Sequence, residues 1–275
     1  MNCPEVTLPR RAAAALALLA ALLAATPVRA EGVGLYIYKL GEQAFPAAGL
    51  GDDTPVTAEL EVRNSGQTAS ALLRYSTVKL LEQGGDELLV LSRPGDRIKL
   101  APTAAHSRAS FVIDFDEPPV AALAERMSAS SAGRPTPLEM QQFVYDFISD
   151  KSYARNQGVA SQIAQSAAGD CTEHATLLTA LARAHGYPSR VVFGVLMLQT
   201  GETVNAFGHA WTEIHDGEQW LVLDATLPGQ GEDVWMRYLP FMPMTNEGPG
   251  FLMGMVALTN VWPAKVRLAD AAEAD

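Results

Sequence analysis

Gly169-Asp170-Cys171-Thr172-Glu173-His174-Ala175 is the stretch on which the reading of this chain turns. Behind it Leu177, Leu178, Leu181 and Ala182 recur on one helical face, and Gly186 followed by Pro188 ends the run, so the spacing predicts a helix with Cys171 in its first turn. A thiol there faces backbone N–H groups that have no acceptor within the helix, and it sits at the positive end of the helix dipole. Both favour a thiolate. Asp170 opposes this as a nearby negative charge, but it is also the natural side-chain cap for the first-turn amides.

Working outward toward the C-terminus, Arg190 to Leu198 is an apolar, β-branched run that reads as a buried strand. Gly208 to His215 and Gln219 to Asp224 read as the arms of a hairpin around Asp216-Gly217. An Asp-Gly turn favours a two-residue type I′ connection, which would pair His215 with Glu218 and set His209 directly opposite Asp224. Opposed residues share one face of a sheet with Cβ atoms about 4.5 to 5.5 Å apart, a gap that an imidazole and a carboxylate can bridge. The expectation depends on that turn, because a longer connection moves the partner. A thiol, an imidazole and a carboxylate are the groups that acyl transfer through a thioester requires: nucleophile, base, and the group that orients the base.

Toward the N-terminus, Thr136-Pro137-Leu138-Glu139 opens a helix with a side-chain cap, proline at the first position and glutamate at the third, and Leu138, Phe143, Val144, Phe147 and Ile148 follow at helical spacing. Residues 118–137 form a linker: Pro118-Pro119, a short helical stretch from Val120 to Met127, then a serine-, glycine- and proline-rich run. Residues 31–117 read as a β-rich domain resembling a small sandwich. In it Val56, Ala58, Leu60 and Val62 alternate with polar residues, and the apolar runs at Ala71 to Leu81, Glu87 to Leu91 and Arg108 to Phe115 supply further strands. This part holds no chemical motif, and His106 reads as a surface residue.

Residues 1–30 have the form of a secretory signal peptide: Arg10 and Arg11, an unbroken apolar run from Ala12 to Ala25, and small residues at Val28-Arg29-Ala30. The run is too short to span a bilayer, which takes about 20 residues. The expected location is therefore periplasmic or secreted, without a membrane span. Cleavage would take Glu5, Arg10, Arg11 and Arg29 from the 20 basic and 31 acidic side chains, leaving 17 and 30 and a net charge near −13. Nucleic acid is a poor partner for such a chain. Cleavage also removes Cys3 and leaves Cys171 as the lone thiol, which in an oxidising compartment has no internal partner.

Together with Cys171, the runs Ala182-Arg183-Ala184-His185-Gly186-Tyr187-Pro188-Ser189-Arg190-Val191-Val192, His209-Ala210-Trp211-Thr212-Glu213 and Trp220-Leu221-Val222-Leu223-Asp224 resemble the core of the bacterial transglutaminase-like superfamily over residues 138–228. The resemblance implies an α+β, papain-like fold with the cysteine-bearing helix packed on an antiparallel sheet, a catalytic domain over residues 138–275, and a catalytic triad of Cys171, His209 and Asp224. Two departures stand out: Ala225 follows the aspartate where the family commonly has proline, and no residue matches the family's side-chain oxyanion donor. The Cys171 N–H remains as an oxyanion contact, with Gln162 and Gln165 as upstream candidates.

The expected function is that of a thiol enzyme acting on amide bonds of proteins, peptides or peptidoglycan stems, by hydrolysis or by transfer to an amine. The rival is a non-catalytic peptide- or cell-wall-binding module on the same fold. Trp211, Trp220 and His174 are candidate substrate-binding residues, with packing beneath the site as the alternative for the two indoles. A metal centre of Cys171, His174 and His209 is disfavoured because no second Cys or His spacing supports it. Neither a metal nor an organic cofactor is expected. The Met- and aromatic-rich region from Trp235 to Met255 reads as core closure, with a peptide groove as the alternative.

Overall fold

The computed structural model describes residues 39–44, 54–75, 77–93, 101–151, 158–228, 235–244, 246–251 and 261–269. The leader-like residues 1–30, and Met253 and Met255, lie outside them. Strands β1 (Lys39–Ala44) and β2 (Val56–Val62) come first. Helix α1 (Ser65–Leu72) and strands β3 (Val78–Gly84) and β4 (Glu87–Ser92) follow. Four helices come next: α2 (Pro118–Ser130), α3 (Pro137–Phe147), α4 (Ala160–Ser166) and α5 (Cys171–Ala184). The chain then forms β5 (Ser189–Thr200), β6 (Thr203–His215), β7 (Trp220–Leu223), β8 (Met236–Pro243) and β9 (Pro263–Leu268).

These strands make two antiparallel sheets. The larger has the order β1-β6-β5-β8 with β7 also on β6; the smaller has the order β3-β4-β2-β9. Helices α2 to α5 cover one face of the larger sheet around Met140, Val144, Ile163, Leu177, Leu181 and Val191. The smaller sheet covers the other face, with Leu60, Leu88 and Val90 meeting Val192, Val195, Trp211 and Phe241. A strand covered on both faces should be apolar throughout, and in β5 every residue from Ser189 to Leu198 is buried. Each large side chain buried this way contributes about 1.5–3 kcal/mol.

The sandwich-like packing foreseen for the N-terminal part is thus made with the larger sheet as its second layer. The sheets also trade strands: β1 pairs with β6 and β9 pairs with β2. Two expected strands differ in the structure. Within the apolar run from Ala71 the chain begins as α1, because Asn64 caps that helix by accepting from the Gln67 N–H at 3.0 Å, and β3 starts only at Val78. Arg108 to Phe115 forms no strand. Val112 and Ile113 are fully buried against the helical layer, and the Val112 backbone groups bond to Glu247 and Ala160.

The Thr136 cap is present with both halves of its box, and α4 is a helix that periodicity did not single out. The C-terminal aromatic region closes the core, since Trp235, Leu239 and Phe241 are buried between the sheets. Among the described residues no helix is long and apolar enough to cross a membrane.

Candidate active site

Asp170 caps α5, and Cys171 is its first residue. The Asp170 carboxylate accepts the Thr172 N–H at 2.9 Å, and Glu173 reaches back to accept the Asp170 N–H at 3.0 Å. Among the described residues no acceptor takes the Cys171 N–H, so that amide remains available beside a half-buried thiol. Thr212 on β6 donates to the Ala175 carbonyl at 2.9 Å and receives the Thr179 hydroxyl at 3.3 Å. Those two bonds fix the start of α5 against β6 three residues from His209.

The alternation of β5 and β6 changes phase at the paired residues Gly194 and His209. Val192 and Val195 both enter the core between the sheets, as do Ala206 and Trp211, although both separations are odd. On the helix side the matching residues are Phe193 and Ala210 beyond the break, and Leu196 and Phe207 before it, and Cys171 packs against both groups. Glycine is required at the break. A Cβ on Gly194 would lie 2.3 Å from the Leu239 carbonyl oxygen and 2.4 Å from the Trp211 ring.

His209 donates from Nε2 to Asp224 Oδ2 at 2.6 Å. A carboxylate only accepts, so Nε2 carries the proton and Nδ1 is the basic nitrogen. Nδ1 has no hydrogen-bond partner, and the Cys171 side chain also acts on this ring. Burial pushes the His209 pKa down, but the charge and hydrogen bond of Asp224, with help from Cys171, outweigh it and raise it to about 10. Burial alone would raise the Asp224 pKa, yet His209 and Thr226 bring it to about 2. The Thr226 N–H and hydroxyl donate to Oδ1 at 2.9 and 2.5 Å, the Tyr238 hydroxyl to Oδ2 at 2.8 Å, and the Asp224 N–H to Gln141 Oε1 at 3.0 Å.

The hairpin does not make this pair by the expected register. His215 pairs with Trp220 and Thr212 with Leu223, so extending the ladder sets Asp224 opposite Trp211 and diagonal to His209. The cause is the connection. The Asp216 carboxylate accepts the Glu218 and Gln219 N–H groups at 2.8 and 2.9 Å, and only Gly217 takes a positive φ, 116°, whereas a type I′ turn needs two. Asp224 lies just past the end of β7 and reaches the imidazole across the diagonal, which long side chains can span.

The three expected substrate-binding residues are all buried. Trp211 is 1% exposed in the core between the sheets, against His209 and Tyr238. It packs beneath the site, where burying an indole is worth more than exposing it. Trp220 sits at the other end of the hairpin with His106, His215 and Arg190, about 20 Å along β6 from His209 at 3.3 Å per residue. His174 is equally enclosed. Its Nδ1–H donates to the Asp170 carbonyl at 2.6 Å, and burial, reinforced by Lys151, lowers its pKa to about 4 against that bond. It is a neutral structural imidazole.

Gln162 and Gln165 are both exposed on α4. Glu173 is buried, and burial and the neighbouring Asp170 raise its pKa to about 8. Among the described residues no cluster of three or more His, Cys, Asp or Glu is placed to hold a metal. Sequence reasoning missed Thr226, Gln141 and Tyr238. Thr226, two residues after Asp224, matches a local Asx-type pattern, but the other two arrive from distant elements and leave no local signal.

The family profile of the transglutaminase-like superfamily matches residues 122–225, a span that contains Cys171, His209 and Asp224. Over those residues the chain matches that superfamily. The transglutaminase-like segment takes in α2 and α3 as well as α5 and β5 to β7, so it begins upstream of the motifs that first revealed it. No curated protein matches the chain. Solved structures similar to it include a Cytophaga hutchinsonii protein provisionally described as a cysteine protease, at 13% identity and TM-score 0.45 over 84% of this chain and 87% of that one. Another is the periplasmic domain of TgpA from Pseudomonas aeruginosa bound to ethylmercury, at 14% identity and TM-score 0.41 over 70% of this chain and 77% of that one.

Proposed function

We propose that the protein is an exported cysteine enzyme that opens amide bonds of proteins, peptides or peptidoglycan stems through a thioester on Cys171. The observation that carries the proposal is the His209 ring: one nitrogen is fixed to a buried carboxylate, while the other has no partner and lies beside the thiol of a helix start. His209 Nδ1 takes the proton from Sγ, and sulfur attacks the carbonyl carbon. The oxyanion finds the Cys171 N–H. As the C–N bond breaks, the imidazolium returns the proton to the leaving amine. Water or a second amine then attacks the thioester, His209 accepts that nucleophile's proton, and the carbon–sulfur bond breaks. Asp224 holds the ring and stabilises its charged form throughout.

The leader pattern of residues 1–30 supports export. Incubation with candidate peptides followed by mass spectrometry should reveal an acyl group on Cys171 that is sensitive to hydroxylamine. Cys171→Ala should show none, and turnover should fall by at least about 10³-fold while the fold persists. A wild-type protein that neither acylates nor labels with iodoacetamide faster than a simple thiol would instead be a binding module.

A further inference from the structure

The Asp224 carboxylate is held by more groups than a triad needs, and one of its donors comes from outside the hairpin. Thr226 donates twice to Oδ1 from the turn after β7. Oδ2, the oxygen that receives the imidazole proton, has a second donor in the Tyr238 hydroxyl at 2.8 Å. Tyr238 stands on β8, separated from β6 by β5. Its ring lies 6.3 Å from His209 and 5.1 Å from Trp211, centroid to centroid, and it packs on the apolar patch that also receives Cys171. The same hydroxyl is 3.7 Å from the Met236 sulfur. Its single proton cannot serve both, and a carboxylate is much the stronger acceptor.

Resting on the function proposed above, we propose that Tyr238 is a positioning residue: its hydroxyl fixes the Asp224 carboxylate so that Oδ2 stays on His209 Nε2 and Nδ1 stays turned to Cys171. Thr226 alone would let the carboxylate pivot about Oδ1. The phenol closes that freedom from a third strand, which ties the geometry of the acid–imidazole pair to the packing of β8.

The test is the pH dependence of Cys171 alkylation by iodoacetamide, mapped by peptide mass, in the wild type, Tyr238→Phe, Asp224→Asn and the double variant. The wild type should react at neutral pH faster than a simple thiol. Tyr238→Phe removes one oxygen from a half-buried side chain and should keep its thermal midpoint within a few degrees. Its profile should move up by about one pH unit, a loss of about tenfold in rate near pH 7. In the Asp224→Asn background the same change should have no further effect, because the group through which it acts is gone. Acylation by substrate should fall in kcat with KM little changed. A Tyr238→Phe profile that overlays an activated wild type, or effects of the two substitutions that add, would overturn this inference and leave the proposed function standing. A wild-type profile like that of a simple thiol would overturn both.

Discussion

The first turn of α5 and the open end of the β6–β7 hairpin each bury an imidazole almost completely, His174 at 1% exposure and His209 at 3%, yet the protein drives the two rings in opposite directions. His174 has a backbone carbonyl as partner, and burial takes its pKa down to about 4. His209 suffers the same burial but faces the Asp224 carboxylate, which carries its pKa up to about 10. Burial therefore does not make a histidine a base. What separates the two sites is a carboxylate in direct hydrogen-bond contact with the ring: His174 feels the charges of Asp170 and Asp224, opposed by Lys151, but bonds only a backbone carbonyl.

The sharpest way to break this contrast is to neutralise that carboxylate. Asp224→Asn keeps the shape of the side chain and should lower kcat/KM by about 10⁴-fold, the loss typical when the orienting carboxylate of a nucleophile–imidazole pair becomes an amide. The His209 pKa, followed by NMR, should fall below the ordinary imidazole value, as that of His174 does. A variant retaining activity within tenfold would mean that Asp224 does not set the state of His209.

The contrast also has a signature in stability. His174 is depressed from 6.5 when folded, so the folded protein binds fewer protons than the unfolded chain at mildly acidic pH. Its contribution is present above pH 6.5 and is lost as pH falls toward 4, by about 3 kcal/mol in all. His209 is raised, so its contribution is present below pH 6.5 and is lost as pH rises through about 10. Denaturant unfolding followed across pH should show both limbs. His174→Gln should flatten the acid limb and leave the alkaline one, whereas Asp224→Asn should abolish the alkaline limb and, with His209 now depressed by burial, alter the acid one as well. An unchanged acid limb in His174→Gln would show that the carboxylates alone account for it.

Much of this site was legible because its parts are local. The Thr136 box, the Asp170 cap and the stripe of α5 each lie within one or two turns of chain, and the buried run of β5 needs only its own composition. The register of the hairpin was not legible, since it depends on whether the Asp216 carboxylate or a pair of positive φ values closes the connection, and both are open to an Asp-Gly pair. The pairing of His209 with Asp224 emerged anyway, because a two-position slip preserves the face and turns a direct contact into a diagonal one. Asn64 carries a similar ambiguity, since asparagine serves turns and helix caps alike, and in the structure it caps α1 while Thr68, Ala69 and Leu72 are buried. Tyr238 and Gln141 could not be read at all, since sheet order and helix docking bring them to Asp224.

The smallest effect tests whether the hairpin keeps its two ends separate. Trp211 and Trp220 are both nearly fully buried, but only Trp211 touches the ring of His209. Trp220 instead stacks its face under the Arg190 guanidinium, 4.3 Å from the ring centroid, and meets the edges of His106 and His215. Arg190 is held by Glu213 through two bonds of 2.6 and 2.8 Å, so that end of the hairpin is closed by its own ion pair. Trp220→Phe should therefore cost about 1–2 kcal/mol of stability through lost ring area and cation–π contact and leave the alkylation profile of Cys171 within twofold of wild type. Trp211→Phe, the same chemical change at the other end, should cost a comparable amount of stability and also slow alkylation, because the ring beneath His209 is then free to tilt. Equal effects of the two substitutions on the thiol would show that the hairpin transmits strain along its whole length, and the separation drawn here between a structural end and a chemical end would fail.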